Sequence, residues 1–378
     1  MKRFRNTWVE INLDAIGYNI RQMKHKLPTH TEVIAVVKAD AYGHGSIEVA
    51  KKALESGAKA LAVALLEEAI ELRRASITAP ILVLGWVAPE LAPIAATHEI
   101  TLTVFQKDWV LLVQQERLPK PLHVHMKWDT GMGRIGIRTE QELHELLQIL
   151  KVSKQLKLTG VFTHFATADE QDLSYFQEQL QQFNQFLNLF KKEWPEQIAI
   201  HIGNSAAAIR FPDEMYNYIR FGISMYGLYP SNVIKENEYD LALKPAFSLK
   251  SSLIHVKKVQ KGTSISYGKT YTTTADEWIG TLPIGYGDGW ARKLQGIHVL
   301  VNGKRMPIVG RICMDQTMIL LDKCYPVGTN VTLIGKQKGE EIALDDVAQY
   351  MDTINYEVAC MINKRVPREY VFSQVRTE

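Results

Sequence analysis

Short apolar, β-branched runs alternate with stretches in which apolar residues recur every three or four positions along the first 230 residues. The runs lie at 33–37, 61–65, 81–85, 100–104, 122–128, 158–164, 198–202 and 216–221. Strands separated by helices pair in parallel through right-handed crossovers. Eight such units within roughly 200 to 250 residues is the count that closes a (β/α)8 barrel, with a doubly wound open sheet as the alternative. In one long helix Leu173, Phe176, Leu180, Phe183, Leu187 and Phe190 form a continuous apolar seam, suited to packing on a barrel or to coiled-coil association.

Beyond about residue 240 the period changes to two, as in the run 249–256. Val299-Leu300-Val301-Asn302-Gly303-Lys304-Arg305 reads as a hairpin, because Asn-Gly favours the primed two-residue turn. Further strands are expected at 306–312 and 331–334, and a helix at 344–350. The expected architecture is α/β: an N-terminal (β/α)8 TIM barrel over 1–240, then a mainly β C-terminal domain over 241–378.

Composition narrows the function. The 378 residues carry 44 Lys+Arg against 41 Asp+Glu, for a net charge of +3, with both signs interspersed. That leaves no basic stripe for a nucleic-acid backbone, so no nucleic-acid partner is expected. The apolar stretch 79–96 is interrupted by Pro80, Pro89, Pro93 and Glu90, and no membrane span is expected. The basic start, Met1-Lys2-Arg3-Phe4-Arg5, leads into Glu10 and Asp14 rather than an apolar core. Cys313, Cys324 and Cys360 are too scattered for a disulfide framework or a zinc site. The expectation is a cytoplasmic protein with thiols and no metal.

Chemistry enters at Val33-Ile34-Ala35-Val36-Val37-Lys38, where an apolar strand ends on a lysine and runs into Ala39-Asp40-Ala41-Tyr42-Gly43-His44-Gly45. Barrel enzymes keep catalytic groups at such strand ends. A desolvated lysine loses pKa units and becomes an amine nucleophile for a carbonyl cofactor, whereas a solvated one is only a surface cation. From position alone both readings stand.

The 35–45 segment resembles the cofactor-lysine motif of bacterial alanine racemases, and ordered matches follow along the whole chain. They are Lys127-Trp128-Asp129-Thr130-Gly131-Met132-Gly133-Arg134-Ile135-Gly136, His164, His201 with Asn204-Ser205, and Arg220-Phe221-Gly222-Ile223-Ser224-Met225-Tyr226-Gly227. In the β part they are Ser266-Tyr267-Gly268, Gly285-Tyr286-Gly287-Asp288-Gly289, Arg311-Ile312-Cys313-Met314-Asp315 and Tyr356. The resemblance implies a pyridoxal 5'-phosphate enzyme that interconverts L- and D-alanine and supplies D-alanine for peptidoglycan. It implies a homodimer with active sites shared between subunits.

By the same resemblance Lys38 forms the imine with pyridoxal phosphate and is one of two catalytic bases, the other being Tyr267 of the second subunit. Tyr42, Ser205, Tyr356 and the backbone at Gly222-Ile223 hold the phosphate, with Asn204 beside them. Arg220, supported by His201, faces the pyridine nitrogen, where fold-related decarboxylases have a carboxylate. A guanidinium cannot protonate that nitrogen, which weakens the electron sink and suits a racemase. His164 links Tyr267 to Arg220. Arg134 and the Met314 N–H bind the substrate carboxylate, Lys127 is a lysine often carbamylated in this family, Asp315 helps place the Tyr267 region, and Tyr286 lines the entrance or packs on the partner. Tyr356 beside the substrate side chain favours a methyl group.

The alternatives are a serine or broad-specificity amino-acid racemase of the same fold, or a protein that holds the cofactor without turnover. The latter kind lacks the β domain. Gly131-Met132-Gly133-Arg134-Ile135-Gly136 fits the spacing of a dinucleotide motif but lacks an acidic residue about 20 positions on, where lysines stand. His123 and His125 share a strand face and read as structural histidines, lacking carboxylates or cysteines at ligand spacing.

Overall fold

The computed structural model describes residues 4–237 and 240–372. It divides into two compact units, one of Ala15–Ala41 with Ser46–Pro245, the other of the chain up to Asp14, Tyr42–Gly45 and the chain from Ala246 onward.

The first unit is a closed barrel of eight parallel strands: Glu32–Val36, Ala60–Val63, Ile81–Val83, Ile100–Val104, Leu122–Lys127, Leu156–Phe162, Ala199–His201 and Tyr218–Phe221. These are the eight apolar runs, trimmed or shifted at their ends, and the last pairs with the first to close the ring. The open-sheet alternative is thereby excluded. Between the fifth and sixth strands the register slips, with Val124 opposite Leu158 but His125 opposite Gly160, so Thr159 is an extra residue. Such a bulge re-aims the side chains beside it. The seam helix is Ser174–Glu193, and its apolar face is buried. Phe183, Phe186 and Phe190 surround the Trp128 ring with centroids 5.0, 5.6 and 5.8 Å away.

In the second unit the first strand of the chain, Thr7–Asn12, pairs antiparallel with Phe247–Ser252 and parallel with Arg368–Val371. The described chain before Ala15 and Tyr42–Gly45 thus group with the C-terminal part rather than with the barrel, unlike a single cut at 240. Sequence reasoning missed this strand, whose partners lie more than 230 residues away. The run 249–256 breaks at Leu253, since the chain passes from Phe247–Ser252 in a seven-stranded sheet to His255–Val259 in a three-stranded one. The hairpin forms as expected between His298–Val301 and Lys304–Pro307. Its turn residues Asn302 and Gly303 have φ of +55° and +83°. The second of these strands stops at Pro307, shorter than the 306–312 expected. The expected strand and helix further on are Asn330–Gln337 and Leu344–Met351.

Phe183 is fully buried, so Phe183→Ala should lower the unfolding free energy by about 3–5 kcal/mol, while Gln185→Ala on the exposed face should change it by less than about 0.5 kcal/mol. Urea denaturation checks both. Equal effects would contradict the assignment of this helix face to the core.

Candidate active site

Lys38 follows the first barrel strand, at its carboxyl end. The residues after it do not continue right-handed, since Ala39, Asp40, Ala41 and Tyr42 have φ of +52° to +53° and Gly43 +80°. This is a left-handed helical turn built from L-residues, at a cost of about 1–2 kcal/mol per residue. Such a conformation persists only where the surroundings over-determine it. Ala39 N–H donates to Glu68 Oε1 at 2.6 Å, and Asp40 Oδ1 accepts from Ser46 N–H at 2.8 Å. In the other unit Gly43 C=O accepts from Arg368 Nε at 3.0 Å, and a Cβ on Gly43 would collide with the Ala359 carbonyl. The turn also sets Tyr42 beside Tyr356, with ring centroids 6.1 Å apart. Burial raises the Tyr42 pKa, so its hydroxyl keeps its proton. Two residues that the resemblance assigns to one phosphate are thus neighbours.

The remaining barrel candidates stand at carboxyl strand ends. Arg220 is 4% exposed. Its Nη1 donates to His201 C=O at 2.8 Å and lies 2.9 Å from His201 Nδ1. Its Nη2 donates to the Thr163 and Ile202 carbonyls at 2.7 and 3.0 Å and lies 3.1 Å from His164 Nδ1. Nε–H is the one donor of this guanidinium without an acceptor among the described residues. Burial, then Arg134, push the Arg220 pKa down to about 9, which leaves it charged at neutral pH. His164 and His201 are pulled far below the ordinary histidine range, first by burial and next by Arg220. Both are neutral imidazoles. His125, half-buried by surface but surrounded by protein, falls to about 3 through burial. The long helix assists, as buried Gln179 donates to His164 C=O at 3.1 Å and accepts from Ala166 N–H at 2.9 Å.

Lys127, 3% exposed, ends the fifth strand. Burial lowers its pKa to about 8, with Arg134, Arg220 and Lys38 acting in the same direction and Asp129 against them. The glycine-rich segment after it is a loop that returns to its own start: Asp129 N–H donates to Ile137 C=O, and Asp129 Oδ1 accepts from Gly131 and Gly133 N–H at 3.2 and 2.9 Å. A Cβ on Gly136 would come within 2.5 Å of the Asp129 nitrogen. Compact return, not a dinucleotide, explains those glycines. On the far side of the ring, Asn204 caps the turn Ser205–Arg210 by accepting from Ala207 N–H at 3.0 Å, and Gly222 N–H donates to Ser205 Oγ at 3.0 Å. The buried Ser224 hydroxyl two residues on has no hydrogen-bond partner among the described residues.

In the β unit Tyr267 is 70% exposed and Met314 53%. The Tyr267 turn is held by Ser266, whose Oγ donates to Arg311 C=O at 2.5 Å and lies 3.5 Å from Cys313 Sγ. Asp315 instead accepts from Arg365 at 2.6 Å. The turn at Tyr286 packs on the same loop, with Tyr286 N–H donating to Cys313 C=O and Gly287 N–H to Met314 C=O. Sequence reasoning missed Ser266 and Arg311 as supports, although both lie inside the quoted motifs. No group of His, Cys, Asp and Glu able to hold a metal occurs among the described residues.

Two buried cations, Lys127 and Arg220, at the carboxyl ends of a parallel barrel, with half-buried Lys38, exposed Arg134 and the carboxylate of Asp129 acting on them, define a barrel protein with a positively charged candidate site. The chain belongs to the alanine racemase family. The family's N-terminal domain model matches residues 11–230 and its C-terminal domain model residues 246–370. The alanine racemase of Anoxybacillus flavithermus is 54% identical over 371 residues, which cover 97% of this chain and 95% of that protein. Alanine racemase 1 of Bacillus subtilis is 50% identical over 368 residues, 97% of this chain and 94% of that protein. The crystal structure of the Bacillus anthracis alanine racemase with bound L-Ala-P superposes with a TM-score of 0.95 at 49% identity, covering 98% of this chain and 96% of that one.

Neutral buried histidines leave a signature in stability. The unfolded chain binds protons on these imidazoles near pH 6.5, whereas the folded chain holds His125, His164 and His201 neutral to much lower pH. The unfolding free energy should therefore fall as pH falls below about 6.5, by up to about 1.4 kcal/mol per pH unit for each histidine. Urea denaturation between about pH 7.5 and 5.5 reads this, and a flat profile would contradict it.

Proposed function

We propose that this chain interconverts L- and D-alanine using pyridoxal 5'-phosphate at the carboxyl end of its barrel. The residues fit that group. Lys38, Lys127, Arg134 and Arg220 face one another electrostatically with Asp129 as their counter-charge, so the site is short of anions. The observation that carries the reading is Arg220: all its Nη donors are taken, and the remaining Nε–H suits the lone pair of a pyridine nitrogen. Ser205, Asn204, the Gly222-Ile223 backbone, Tyr42 and Tyr356 are the assigned phosphate holders. When bound, the pyridoxal ring supplies the electron sink that makes an amino acid's α-hydrogen acidic.

The chain's own groups then set the outcome. Lys38 Nζ anchors the cofactor and moves a proton on one face of the substrate; the Tyr267 hydroxyl moves one on the other. The chain's own Tyr267 lies at a 70% exposed position, which suits coverage by a second copy, and we assign it to the site of that copy in a homodimer. His164, neutral and in contact with Arg220, orients that hydroxyl. Arg220 keeps its proton and so would leave the pyridine nitrogen of the bound cofactor unprotonated, which would weaken the electron sink and favour racemisation over side reactions. Arg134 and the Met314 N–H hold the carboxylate, Tyr286 lines the approach, Asp315 steadies the Met314 loop through Arg365, and Tyr356 limits the side chain to a methyl group. Residues 1–240, joined by Tyr356, carry the cofactor, and the rest of 241–378 supplies the contribution to the partner's site. The setting is cytoplasmic, and D-alanine serves peptidoglycan synthesis.

Lys127 is a cation among cations with its pKa near 8, so a neutral amine is within reach at working pH. Addition of its Nζ to CO2 with loss of a proton gives a carbamate anion, which would pair with Arg134 and orient it. With 13C-bicarbonate the protein should show a carbamate resonance that Lys127→Ala lacks, and its absence from the unmodified protein would overturn this role.

Chiral chromatography after incubation with L-alanine and L-serine tests the reading as a whole. D-Alanine should form well ahead of D-serine; the reverse order would establish the serine or broad-specificity alternative. Lys38→Ala should abolish covalent cofactor attachment, seen by absorbance. Tyr267→Ala should slow solvent-deuterium exchange into L-alanine by about 10²-fold or more and into D-alanine far less, and equal losses would contradict a face-specific base. Sedimentation should give twice the 42.9 kDa chain mass for the active species.

A further inference from the structure

His125 has no part in the scheme above, and the sequence presents it as a structural histidine. The structure gives it a defined address. Its Nδ1 lies 2.9 Å from His201 Nε2, and His201 Nδ1 lies 2.9 Å from Arg220 Nη1. Three separate features hold the ring there. The extra residue Thr159 in the sixth strand brings Gly160 opposite His125. A Cβ on Gly160 would meet the His125 ring atoms at 2.6 to 2.7 Å, so the imidazole fits only over a glycine. His201, the middle member, is itself stacked on Phe162 with centroids 4.7 Å apart and planes 13° from parallel.

The direction of the hydrogen bonds follows from Arg220. A guanidinium donates and never accepts, so His201 Nδ1 presents a lone pair to it. His201 is neutral, hence its proton sits on Nε2 and is donated to His125 Nδ1. His125, also neutral, therefore carries its proton on Nε2. The opposite arrangement would set an N–H on His201 Nδ1 against the N–H of Arg220.

We infer that His125 is a positioning residue for Arg220: by accepting from His201 Nε2 it fixes the tautomer whose Nδ1 lone pair holds the guanidinium in place. The inference rests on the proposed role of Arg220, but its primary readout does not. Without the acceptor at position 125, the His201 proton can move to Nδ1, the contact with Arg220 Nη1 becomes donor against donor, and the guanidinium loses one of the two anchors on that nitrogen.

The test uses the cofactor-loaded protein labelled with 15N-histidine. Imidazole nitrogen resonances of the unsubstituted protein should report His201 and His125 both as the Nε2–H tautomer. In His125→Leu, His201 should populate Nδ1–H, and kcat for alanine should fall on the order of tenfold with KM changed by less than about twofold, the loss expected for one hydrogen bond acting through orientation. His125→Asn, whose Oδ1 stands where Nδ1 stood, should restore the His201 tautomer and most of kcat. Finding Nδ1–H on His201 in the unsubstituted protein overturns the inference whether or not the Leu variant folds. An unchanged tautomer and kcat in a folded Leu variant also overturns it and leaves His125 as packing alone. A protein with the expected tautomers but no racemisation of alanine refutes the proposed function and not the hydrogen-bond chain.

Discussion

The site is organised around a buried guanidinium that cannot surrender its proton. Three backbone carbonyls and two imidazoles receive Arg220. Carbonyls cannot rotate away, so the charge is fixed by the barrel itself through strand ends at Thr163, His201 and Ile202. Other properties follow from that fixed cation. Burial first and this cation second hold the imidazoles against it neutral, burial, Arg134 and then Arg220 push the amine of Lys127 toward neutrality, and the site as a whole favours ligands that bring negative charge. Desolvation strengthens each of these effects, because a low-dielectric interior screens charges poorly.

Much of this was legible in the sequence. Eight apolar runs with helical spacers state a parallel α/β fold, because strand burial on both faces and crossover helices leave that pattern, and their number points to a barrel, while its closure shows only in the pairing of the last strand with the first. Asn302-Gly303 states a turn because both positions need positive φ. Lys38 at a strand end and the ordered motifs point to the candidate site. What stayed hidden depends on backbone handedness or on distant partners. The left-handed turn Ala39–Tyr42 uses residues that ordinarily favour the opposite hand, so its composition reads as an ordinary helix start. The pairing of Thr7–Asn12 with Phe247–Ser252 spans most of the chain. The role of His125 depends on a one-residue slip at Thr159 that periodicity does not register, and Ser266 with Arg311 were visible only as members of motifs.

The glycines illustrate the same division. Gly136 and Gly160 both lie next to residues of the site, and each excludes a side chain for a different reason. At Gly136 the obstacle is the backbone of Asp129, needed for a tight return; at Gly160 it is the ring of His125. A spacing pattern alone groups Gly136 with Gly131 and Gly133 and passes over Gly160.

The pairing of Thr7–Asn12 has a consequence for how the chain is made. This strand is synthesised before both of its partners, since its antiparallel neighbour begins at Phe247 and its parallel neighbour at Arg368. At about 5–20 residues per second the first strand waits on the order of 10–50 s for the nearer partner. During that time its edge stays unpaired while the eight barrel strands are made one after another, the last ending at Phe221. The sheet around this strand can therefore assemble only after Phe247–Ser252 and Arg368–Val371 have been made, and a truncated product ending before Phe247 leaves the strand without either neighbour.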